Sequence, residues 1–320
     1  MDGKKRQAPR IGLALGSGAA RGWSHIGVIE ALEEEGFHID VVTGASIGAL
    51  VGAAYAGDRL GALKEWVLSL TWRDVMQIMD LTLSGGGFVQ GDRLMSFFEQ
   101  HVENLPIKSL QKPFGAVATD LERGQEIWFR EGALFDAVRA SIALPGLFTP
   151  VKFEERWLVD GGLVNPVPVS LCRAMGADVV IAVDLNRGIV GKRQRAKQTP
   201  VEPAAGENDG SELRLRETGS WDQFAQQLKT NLSARLETLP VQLGIIKPES
   251  PGLIDVVMGS INIMQDRITR SRMAGDPPDV SLAPRLAELG MMEFHRAEEA
   301  IEEGRRCVKR MAPALHYAFE

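Results

Sequence analysis

The sequence predicts an α/β fold with a mostly parallel central sheet. Residues 11–15 form a short apolar run that ends at a glycine, and residues 23–34 follow with apolar side chains near helical spacing. Residues 39–43 repeat the pattern, because a β-branched apolar run leads through a turn at 44–48 into the small, helix-compatible residues 49–55. Two consecutive strand-to-helix units favour a parallel sheet, since parallel strands need a crossover connection that is usually a helix.

Later segments extend this sheet and cover it with helices. Buried-strand patterns predict strands at 114–119, 126–129, 157–160 and 179–183, and helices at 134–142 and 167–175. The last third predicts long helices at 255–273 and 292–311, with an edge strand at 279–282 between them. We assign all the strands to one sheet. Ligands of such sheets bind at the carboxyl ends of the strands, where both glycine-rich turns fall.

Composition and charge exclude several classes of protein. The chain has 320 residues, of which 44% are hydrophobic and 24% charged, which is typical of a globular protein with a large core. Its 36 basic and 42 acidic residues give a net charge of −6, so nucleic acid is not an expected partner. Only Cys172 and Cys307 are present, with no zinc-site spacing, so the sequence predicts neither a disulfide framework nor a bound metal.

The N-terminal region does not match a signal peptide. Its apolar stretch is interrupted by Gly12 and Gly16 and ends at Arg21. No segment approaches the roughly 18 apolar residues of a membrane span. We therefore expect a cytoplasmic protein that is soluble or lies peripherally at the inner membrane surface.

Four segments make up the predicted domain organisation. Residues 1–10 form a basic tail, and residues 11–186 form the main α/β domain. Residues 187–220 are poor in apolar side chains and are predicted to be a disordered insertion, either a solvated loop or a basic contact for anionic headgroups. Residues 221–320 are predicted to be a mainly helical extension packed on this α/β domain.

A G-x-S-x-G sequence lies where the second strand ends and its helix begins. Gly44 and Gly48 flank Ser46 at two residues on either side. In this context the turn is so sharp that flanking side chains would collide, and the serine hydroxyl projects above the sheet near the helix N-terminus. Ser46 is therefore the predicted nucleophile, and an ordinary glycine-bearing turn is the alternative.

The base that activates this serine is open between histidine and aspartate. In the order Ser, Asp, His, His295 or His316 in the C-terminal helices would serve together with Asp160. Alternatively Asp160 itself is the base, since an apolar strand delivers it and Gly161 and Gly162 let the backbone approach closely. An Asp-Gly turn between two strands is the structural alternative.

A second glycine-rich turn follows the first strand. It comprises Gly16, Ser17, Gly18, Ala19, Ala20, Arg21 and Gly22. Backbone N–H groups in such a turn can bind the oxyanion that acyl transfer generates. The dinucleotide fingerprint is a weaker interpretation, because Arg21 stands where its third glycine belongs. Arg21 is expected either to steady the loop through a carboxylate or to face an anionic headgroup.

These three elements, in this order, resemble those of the patatin-like phospholipases. The resemblance covers about residues 10–186 and is closest to the small bacterial members of the RssA type, which are related to the catalytic domain of neuropathy target esterase. It implies a three-layer sandwich and a serine-aspartate dyad without histidine. When the family's roles are assigned to the matching positions of this sequence, Ser46 is the nucleophile and Asp160 is the base. The implied oxyanion loop consists of Gly16, Ser17, Gly18 and Ala19, and Ser17 and Ala19 depart from the family's usual glycines.

The resemblance also implies a function. We expect a lipid acyl hydrolase, either a phospholipase A, a lysophospholipase or another carboxylic ester hydrolase, that needs no cofactor and no metal. The segment 76–98 is expected to line an acyl channel, to form a lid, or to belong to the core. A non-catalytic adaptor, a histidine-dependent esterase and a nucleotide-binding protein are the alternatives. The headgroup, the acyl length and the oligomeric state are left open.

Overall fold

One sheet organises the computed structural model of this protein, which describes residues 8–78, 104–189 and 253–319 and the single positions 95, 98 and 102. Eight strands of these residues form it, in the order β5-β6-β3-β2-β1-β7-β8, with β4 also paired to β3. The strands are β1 (Ile11–Leu15), β2 (Val41–Ala45), β3 (Phe114–Asp120), β4 (Glu126–Phe129), β5 (Val151–Phe153), β6 (Arg156–Asp160), β7 (Val179–Val183) and β8 (Val280–Leu282). The pairs β1–β2, β1–β7, β2–β3 and β7–β8 are parallel, and β4, β5 and β6 form antiparallel pairs. The predicted α/β class with a mostly parallel sheet is confirmed.

Strands β2 and β6 lie along the same edge of β3. The N–H of Val42 donates to the carbonyl of Pro113 at 2.9 Å, and the N–H of Leu121 donates to the carbonyl of Trp157 at 2.8 Å. Backbone polar groups of successive strand residues point to opposite edges, so positions 113 and 121, both odd, face one edge. The N–H of Asp120 faces the other edge, where β4 is paired.

The carboxyl ends of β2 and β6 therefore meet end to end. Ala45 pairs with Val117, and Asp160 pairs with Ala118, the next residue of β3. Because β2 runs parallel to β3 and β6 runs antiparallel to it, the residue that follows Ala45 is brought next to Asp160. Strand β3 thus aligns the two elements that carry the predicted nucleophile and the predicted base.

Helices cover both faces of the sheet. They are α1 (Ser24–Glu34), α2 (Ile47–Ala56), α3 (Leu60–Ser69), α4 (Trp72–Ile78), α5 (Leu134–Ser141), α6 (Val169–Ala174), α7 (Leu253–Gly275) and α8 (Ala297–Phe319). Leu13 and Leu15 belong to the core that α1, α2, α5 and α8 cover. Ala14 points to the opposite face, where α6 and Met273 of α7 pack. This alternation along β1 gives the three layers that the family resemblance implies.

Most predicted elements are present, and the boundary shifts have local causes. The strand expected at 39–43 is β2, which pairs only from Val41, because Asp40 binds both backbone groups of Ile11 at the start of β1. The helix expected from residue 292 is α8. It begins only at Ala297, because two side chains hold the preceding residues in a turn. Glu293 accepts from the N–H of Gly290, and Arg296 donates to the carbonyl of residue 288. The sequence patterns do not predict β5, α3 or α4.

Several predictions fall outside the described residues. These are the basic tail at 1–7, the insertion from 190 to 220, the segment 221–252, and 79–94 of the expected lid or channel. The described residues within 8–189 and 254–319 belong to one compact unit. In the part of the chain that the structure describes, no helix combines the length and apolarity of a bilayer span. The division into catalytic domain, insertion and extension stays a prediction.

Candidate active site

Ser46 lies in the sharp turn between β2 and α2. Its backbone has φ 57° and ψ −129°, a combination that non-glycine residues rarely adopt. Its side chain is 7% exposed, and its N–H donates to Oγ of Ser141 at 2.9 Å. Such a backbone conformation persists only where the surrounding structure enforces it. Here it directs the Ser46 hydroxyl away from the sheet, at the N-terminus of α2.

The two glycines of the turn are required by close backbone approaches. A Cβ atom on Gly44 would lie 2.3 Å from the carbonyl oxygen of Gly48. A Cβ atom on Gly48 would lie 2.3 Å from the carbonyl oxygen of Leu15, at the end of β1. Both distances are shorter than any tolerable contact, so side chains at these positions would force α2 away from the sheet and move Ser46.

Asp160 accepts a hydrogen bond from Ser46. The hydroxyl of Ser46 donates to Oδ2 of Asp160, and the N–H of Gly162 donates to Oδ1 at 2.7 Å. The backbone of Asp160 is fixed as well, because its N–H donates to Ala143 at 3.0 Å and its carbonyl accepts from Oγ1 of Thr119 at 2.7 Å. The carboxylate is therefore held with one oxygen on the backbone and the other on the serine.

Burial sets the protonation behaviour of this carboxyl group. Asp160 is fully buried, and loss of hydration raises its pKa from an ordinary 3.8 to about 7. The hydrogen bonds from Ser46 and Gly162 favour the charged form and oppose the shift, but burial outweighs them. A carboxylate with a pKa near neutrality is a much stronger base than one in water, and it can accept a proton from a hydroxyl.

The first glycine-rich turn packs beside this pair with most of its backbone groups already bonded. The N–H of Gly16 donates to Val183 at 3.0 Å, and the N–H of Ser17 donates to Pro166 at 2.8 Å. The N–H groups of Gly18 and Ala19 make no hydrogen bond to any described residue. Of the four predicted oxyanion-loop residues, these two therefore keep an available donor.

The carbonyl groups of the same turn are bonded one after another. Nε2 of His25 lies 2.7 Å from the carbonyl oxygen of Gly16, Nδ2 of Asn186 donates to Ser17 at 3.3 Å, and the N–H of Arg21 donates to Gly18 at 3.2 Å. In a trans peptide the N–H points away from the carbonyl. Fixing the carbonyls of Ser17 and Gly18 on one side therefore directs the N–H groups of the next residues to the other side.

His25 is buried in a way that keeps it neutral. Burial lowers the pKa of His25 from 6.5 to about 4, while its hydrogen bond to Gly16 acts in the opposite direction. Because a carbonyl oxygen only accepts, the neutral ring carries its proton on Nε2 and donates to Gly16. His25 thus acts as a fixed donor to the loop at any pH near neutrality.

Arg21 is a buried residue that binds two amide side chains. Its Nη1 donates to Oδ1 of Asn186 at 3.0 Å, and its Nη2 donates to Oδ1 of Asn262 at 3.3 Å. Of the two roles expected for Arg21, these contacts correspond to steadying the loop, and their acceptors are amide oxygens. Asn262 belongs to α7, so the loop is tied to the C-terminal part of the chain.

The remaining predicted glycines are contact points between these parts. A Cβ atom on Gly22 would lie 2.2 Å from Cγ2 of Ile47, the residue after Ser46. A Cβ atom on Gly161 would lie 2.0 Å from the carbonyl oxygen of Val117 on β3. These glycines therefore allow the loop and the turn after β6 to pack directly against their neighbours.

The two C-terminal histidines take no part in the described site. His295 was expected in a helix but lies in the turn before α8, because that helix starts only at Ala297, and its ring packs edge-on against Trp72. His316 lies on α8, as expected, and is 3.5 Å from Glu35. Neither histidine hydrogen bonds to Ser46 in the described part of the chain. Within the same residues, no three His, Cys, Asp or Glu side chains are grouped as metal ligands.

Four residues of the site carry no motif signal. Ser141, His25 and Asn186 bond to the nucleophile turn or the oxyanion loop, and Gln265 bonds to Asn186, only in the folded protein. His25 could have been found in part, because the helical spacing of Ile26 and Ile29 places it at the start of a helix that follows the loop. The others come from elements whose positions depend on tertiary packing.

Comparison with known proteins gives a consistent family. The family model of patatin-like phospholipases matches residues 13–173. An uncharacterized NTE family protein of Mycobacterium tuberculosis is 34% identical, over 93% of this chain and 90% of its own length. Human patatin-like phospholipase domain-containing protein 6 is 37% identical over 55% of this chain and 13% of its own length.

Among solved structures, VipD from Legionella pneumophila aligns with 96% of this chain and 77% of its own, at 14% identity and a TM-score of 0.36. That similarity is too low to support an argument about function. The family model and the mycobacterial relative cover enough of the sequence to decide membership. The chain belongs to the patatin-like phospholipase family, a family of lipid hydrolases.

Proposed function

We propose that this protein is a lipid acyl hydrolase that works through an acyl-Ser46 intermediate, with Asp160 as its base. The observation that carries the proposal is the hydrogen bond from the Ser46 hydroxyl to a fully buried carboxylate. A hydroxyl becomes a nucleophile when a base is positioned to take its proton, and Asp160 is the base that Ser46 contacts. The substrate is a carboxylic ester of a lipid, such as a phospholipid or a lysophospholipid.

In the first half-reaction Ser46 attacks the ester carbonyl. Its Oγ forms a bond to the carbonyl carbon while Oδ2 of Asp160 takes the hydroxyl proton. The carbonyl oxygen becomes an oxyanion, and the N–H groups of Gly18 and Ala19 are the proposed donors to it. Collapse of this tetrahedral intermediate breaks the bond to the leaving alcohol, which receives the proton back from Asp160.

The second half-reaction reverses these roles with water. Asp160, again ionised, takes a proton from a water molecule that attacks the acyl carbon of acyl-Ser46. The oxyanion forms in the same place, and its collapse releases the fatty acid and returns the proton to Oγ of Ser46. A pKa near 7 suits proton transfer both to and from Asp160, because this carboxyl group must accept and release a proton at ordinary pH.

Peripheral contact with a lipid surface belongs to the same proposal. Helix α7 exposes four large apolar side chains, which are Val256, Val257, Ile263 and Met264. On its buried side, Ile261 belongs to the same hydrophobic cluster as Ala19 of the oxyanion loop. An apolar stripe this close to the site suits a helix that rests on the lipid from which the substrate comes. A cytoplasmic location remains a prediction from sequence.

The experiment is hydrolysis of lipid esters by the full chain and by Ser46→Ala. Purified protein is incubated with lysophospholipid micelles and phospholipid vesicles, and released fatty acid and bound protein are measured. Wild type is expected to release fatty acid, and Ser46→Ala should lose at least about 10³-fold in rate. The exposed Ser109→Ala is the matched control and should retain the full rate.

Two results would oppose the proposal. Hydrolysis that survives in folded Ser46→Ala would assign the activity to another residue. A folded wild-type protein without hydrolysis on any ester offered would favour the alternative, an adaptor that retains the fold.

A further inference from the structure

Asn186 connects the end of β7 to the oxyanion loop. It is 1% exposed, and each polar group of its side chain is bonded. Its Nδ2 donates to the carbonyl of Ser17 at 3.3 Å and to Oε1 of Gln265 at 3.1 Å, while its Oδ1 accepts from Arg21 at 3.0 Å. The residue lies outside the part of the chain that the family model matches, which ends at 173.

Gln265 of α7 touches both halves of the site. Its Oε1 accepts from Asn186, which holds the oxyanion loop. Its Nε2 lies against the turn after β6, because a Cβ atom on Gly162 would come within 2.6 Å of it and within 2.8 Å of Oδ1 of Asp160. Gln265 is 2% exposed, so this side chain fills the space between the loop and the turn.

An apolar pair would fill the same space without the cost of burying amides. Buried amides are tolerated when their donors and acceptors are satisfied, and in that case they fix one arrangement of the groups around them. Here Asn186 bonds the Ser17 carbonyl, and Gln265 bonds Asn186 and packs against the backbone at Gly162. Both that carbonyl and that backbone belong to the proposed catalytic apparatus.

We propose that Asn186 and Gln265 are positioning residues that hold the oxyanion loop in register with the Asp160 turn. The inference rests on the proposed function. Asn186 acts on the Ser17–Gly18 peptide, because binding its carbonyl directs the N–H of Gly18 towards the oxyanion. Gln265 acts on Asn186 and, through Gly162, on the turn that carries the base. Helix α7 thereby becomes part of the catalytic unit.

The test uses three single variants of the full chain. Gln265→Met keeps the size of the side chain but removes its acceptor. Gln265→Glu keeps an acceptor for Asn186 and places a carboxyl group near Asp160. Thr269→Val is the matched control, since Thr269 lies one turn further along the buried side of α7 and its hydroxyl has no partner among the described residues.

Two readouts separate positioning from a loss of folded protein. The first is kcat/KM for an ester compared with the Ki of an alkyl trifluoromethyl ketone, which forms a tetrahedral oxyanion with the serine. A variant that misplaces the loop should lose about 10- to 100-fold in kcat/KM and raise Ki by the same factor. A smaller folded fraction lowers the rate but leaves Ki unchanged. The second readout is the pH dependence of the rate.

The expected pattern is specific to each variant. Gln265→Met should lower kcat/KM and raise Ki in parallel, and Thr269→Val should change neither by more than about twofold. Gln265→Glu should keep the Ki of wild type within about threefold and shift the pH of half-maximal rate upward, because a second carboxyl group disfavours ionisation of Asp160.

The proposal is overturned if Gln265→Met matches wild type in both constants, or loses rate with an unchanged Ki. If Gln265→Met does not fold, a pH profile of Gln265→Glu identical to that of wild type overturns it. A wild-type protein that neither hydrolyses esters nor binds the ketone would instead refute the proposed function, so the two failures are distinguishable.

Discussion

The candidate site has two walls, one formed by Ser46 and Asp160 and the other by the oxyanion loop, and they are built by different means. The wall with Ser46 and Asp160 is set by backbone pairing, since Ala45 and Asp160 are opposite consecutive residues of β3. The wall with the oxyanion loop depends on side chains as well as backbone bonds, since the side chains of His25 and Asn186 bind the carbonyls of Gly16 and Ser17. The difference predicts large, local effects at the first wall and graded, long-range effects at the second.

The difference also explains which substitutions should disturb each wall. Many backbone hydrogen bonds define a strand pair, so its geometry does not depend on any one side chain. The reacting side chains of Ser46 and Asp160 can therefore be replaced without moving the strands. A loop held by a few side-chain hydrogen bonds depends on each of them. Asn186, for example, is 169 residues from the Ser17 whose carbonyl it binds.

The largest effect is expected for Asp160→Asn at the first wall. An asparagine fits the same space but cannot accept the proton of Ser46, so kcat should fall by about 10³-fold or more. His295→Ala should keep wild-type turnover, because His295 packs on Trp72 and makes no contact with Ser46 in the described residues. Full turnover in Asp160→Asn together with loss in His295→Ala would replace the dyad by a histidine-dependent mechanism.

The pH dependence gives the next effect at the same wall. The pKa of Asp160 is raised to about 7, so the base becomes protonated as the pH falls below that value. The rate should therefore drop about tenfold per pH unit well below the midpoint, or about 50-fold between pH 7 and pH 5. A rate that stays flat from pH 5 to pH 9 would show that no group with this pKa is the base.

The same shift fixes the sign of a stability effect. Between about pH 4 and pH 7 the folded protein keeps a proton on Asp160 that the unfolded chain releases, so the free energy of unfolding should fall as the pH rises. A shift from 3.8 to about 7 corresponds to at most about 4 kcal/mol. Asp160→Asn should remove this part of the pH dependence, which urea denaturation at pH 5 and pH 8 would measure.

A smaller effect is expected for His25→Phe at the second wall. Phenylalanine fills the buried space but leaves the carbonyl of Gly16 without its donor, at a cost of about 1–3 kcal/mol in unfolding free energy. Misplacement of the loop should lower kcat by about tenfold with KM nearly unchanged.

His25→Gln is the matched control for that variant. Its Nε2 amide can donate to Gly16, so it should recover most of the rate and the stability. Equal losses in His25→Gln and His25→Phe would mean that the ring itself, and not the hydrogen bond, is required.

The first wall could be predicted from sequence and the second only in part. The G-A-S-I-G sequence after a β-branched run and the D-G-G sequence after β6 are local patterns that single out Ser46 and Asp160, and the family resemblance implies the pairing of these two residues. In the structure they share a hydrogen bond. The glycine-rich loop is also visible in the sequence. The residues that support it are not visible, because Asn186 and Gln265 stand in segments with no motif. Asn186 reaches the loop from the end of β7, which pairs with β1, and Gln265 of α7 reaches Asn186 only through tertiary packing.

The same reasoning accounts for the donors within the loop. The family resemblance assigns oxyanion binding to Gly16, Ser17, Gly18 and Ala19 alike, and each of these residues carries a backbone N–H. Only tertiary contacts distinguish them, because Val183 and Pro166 accept from Gly16 and Ser17. Gly18 and Ala19 remain as the donors that the proposal uses.

Covalent labelling with a fluorophosphonate is the most direct test of a nucleophilic Ser46 activated by Asp160. The full chain is labelled at pH 8, digested and mapped by mass spectrometry, alongside Asp160→Asn. We expect a single phosphonyl adduct on the peptide that contains Ser46, formed far more slowly in Asp160→Asn. A folded protein that carries the adduct elsewhere, or none at all, would contradict the account.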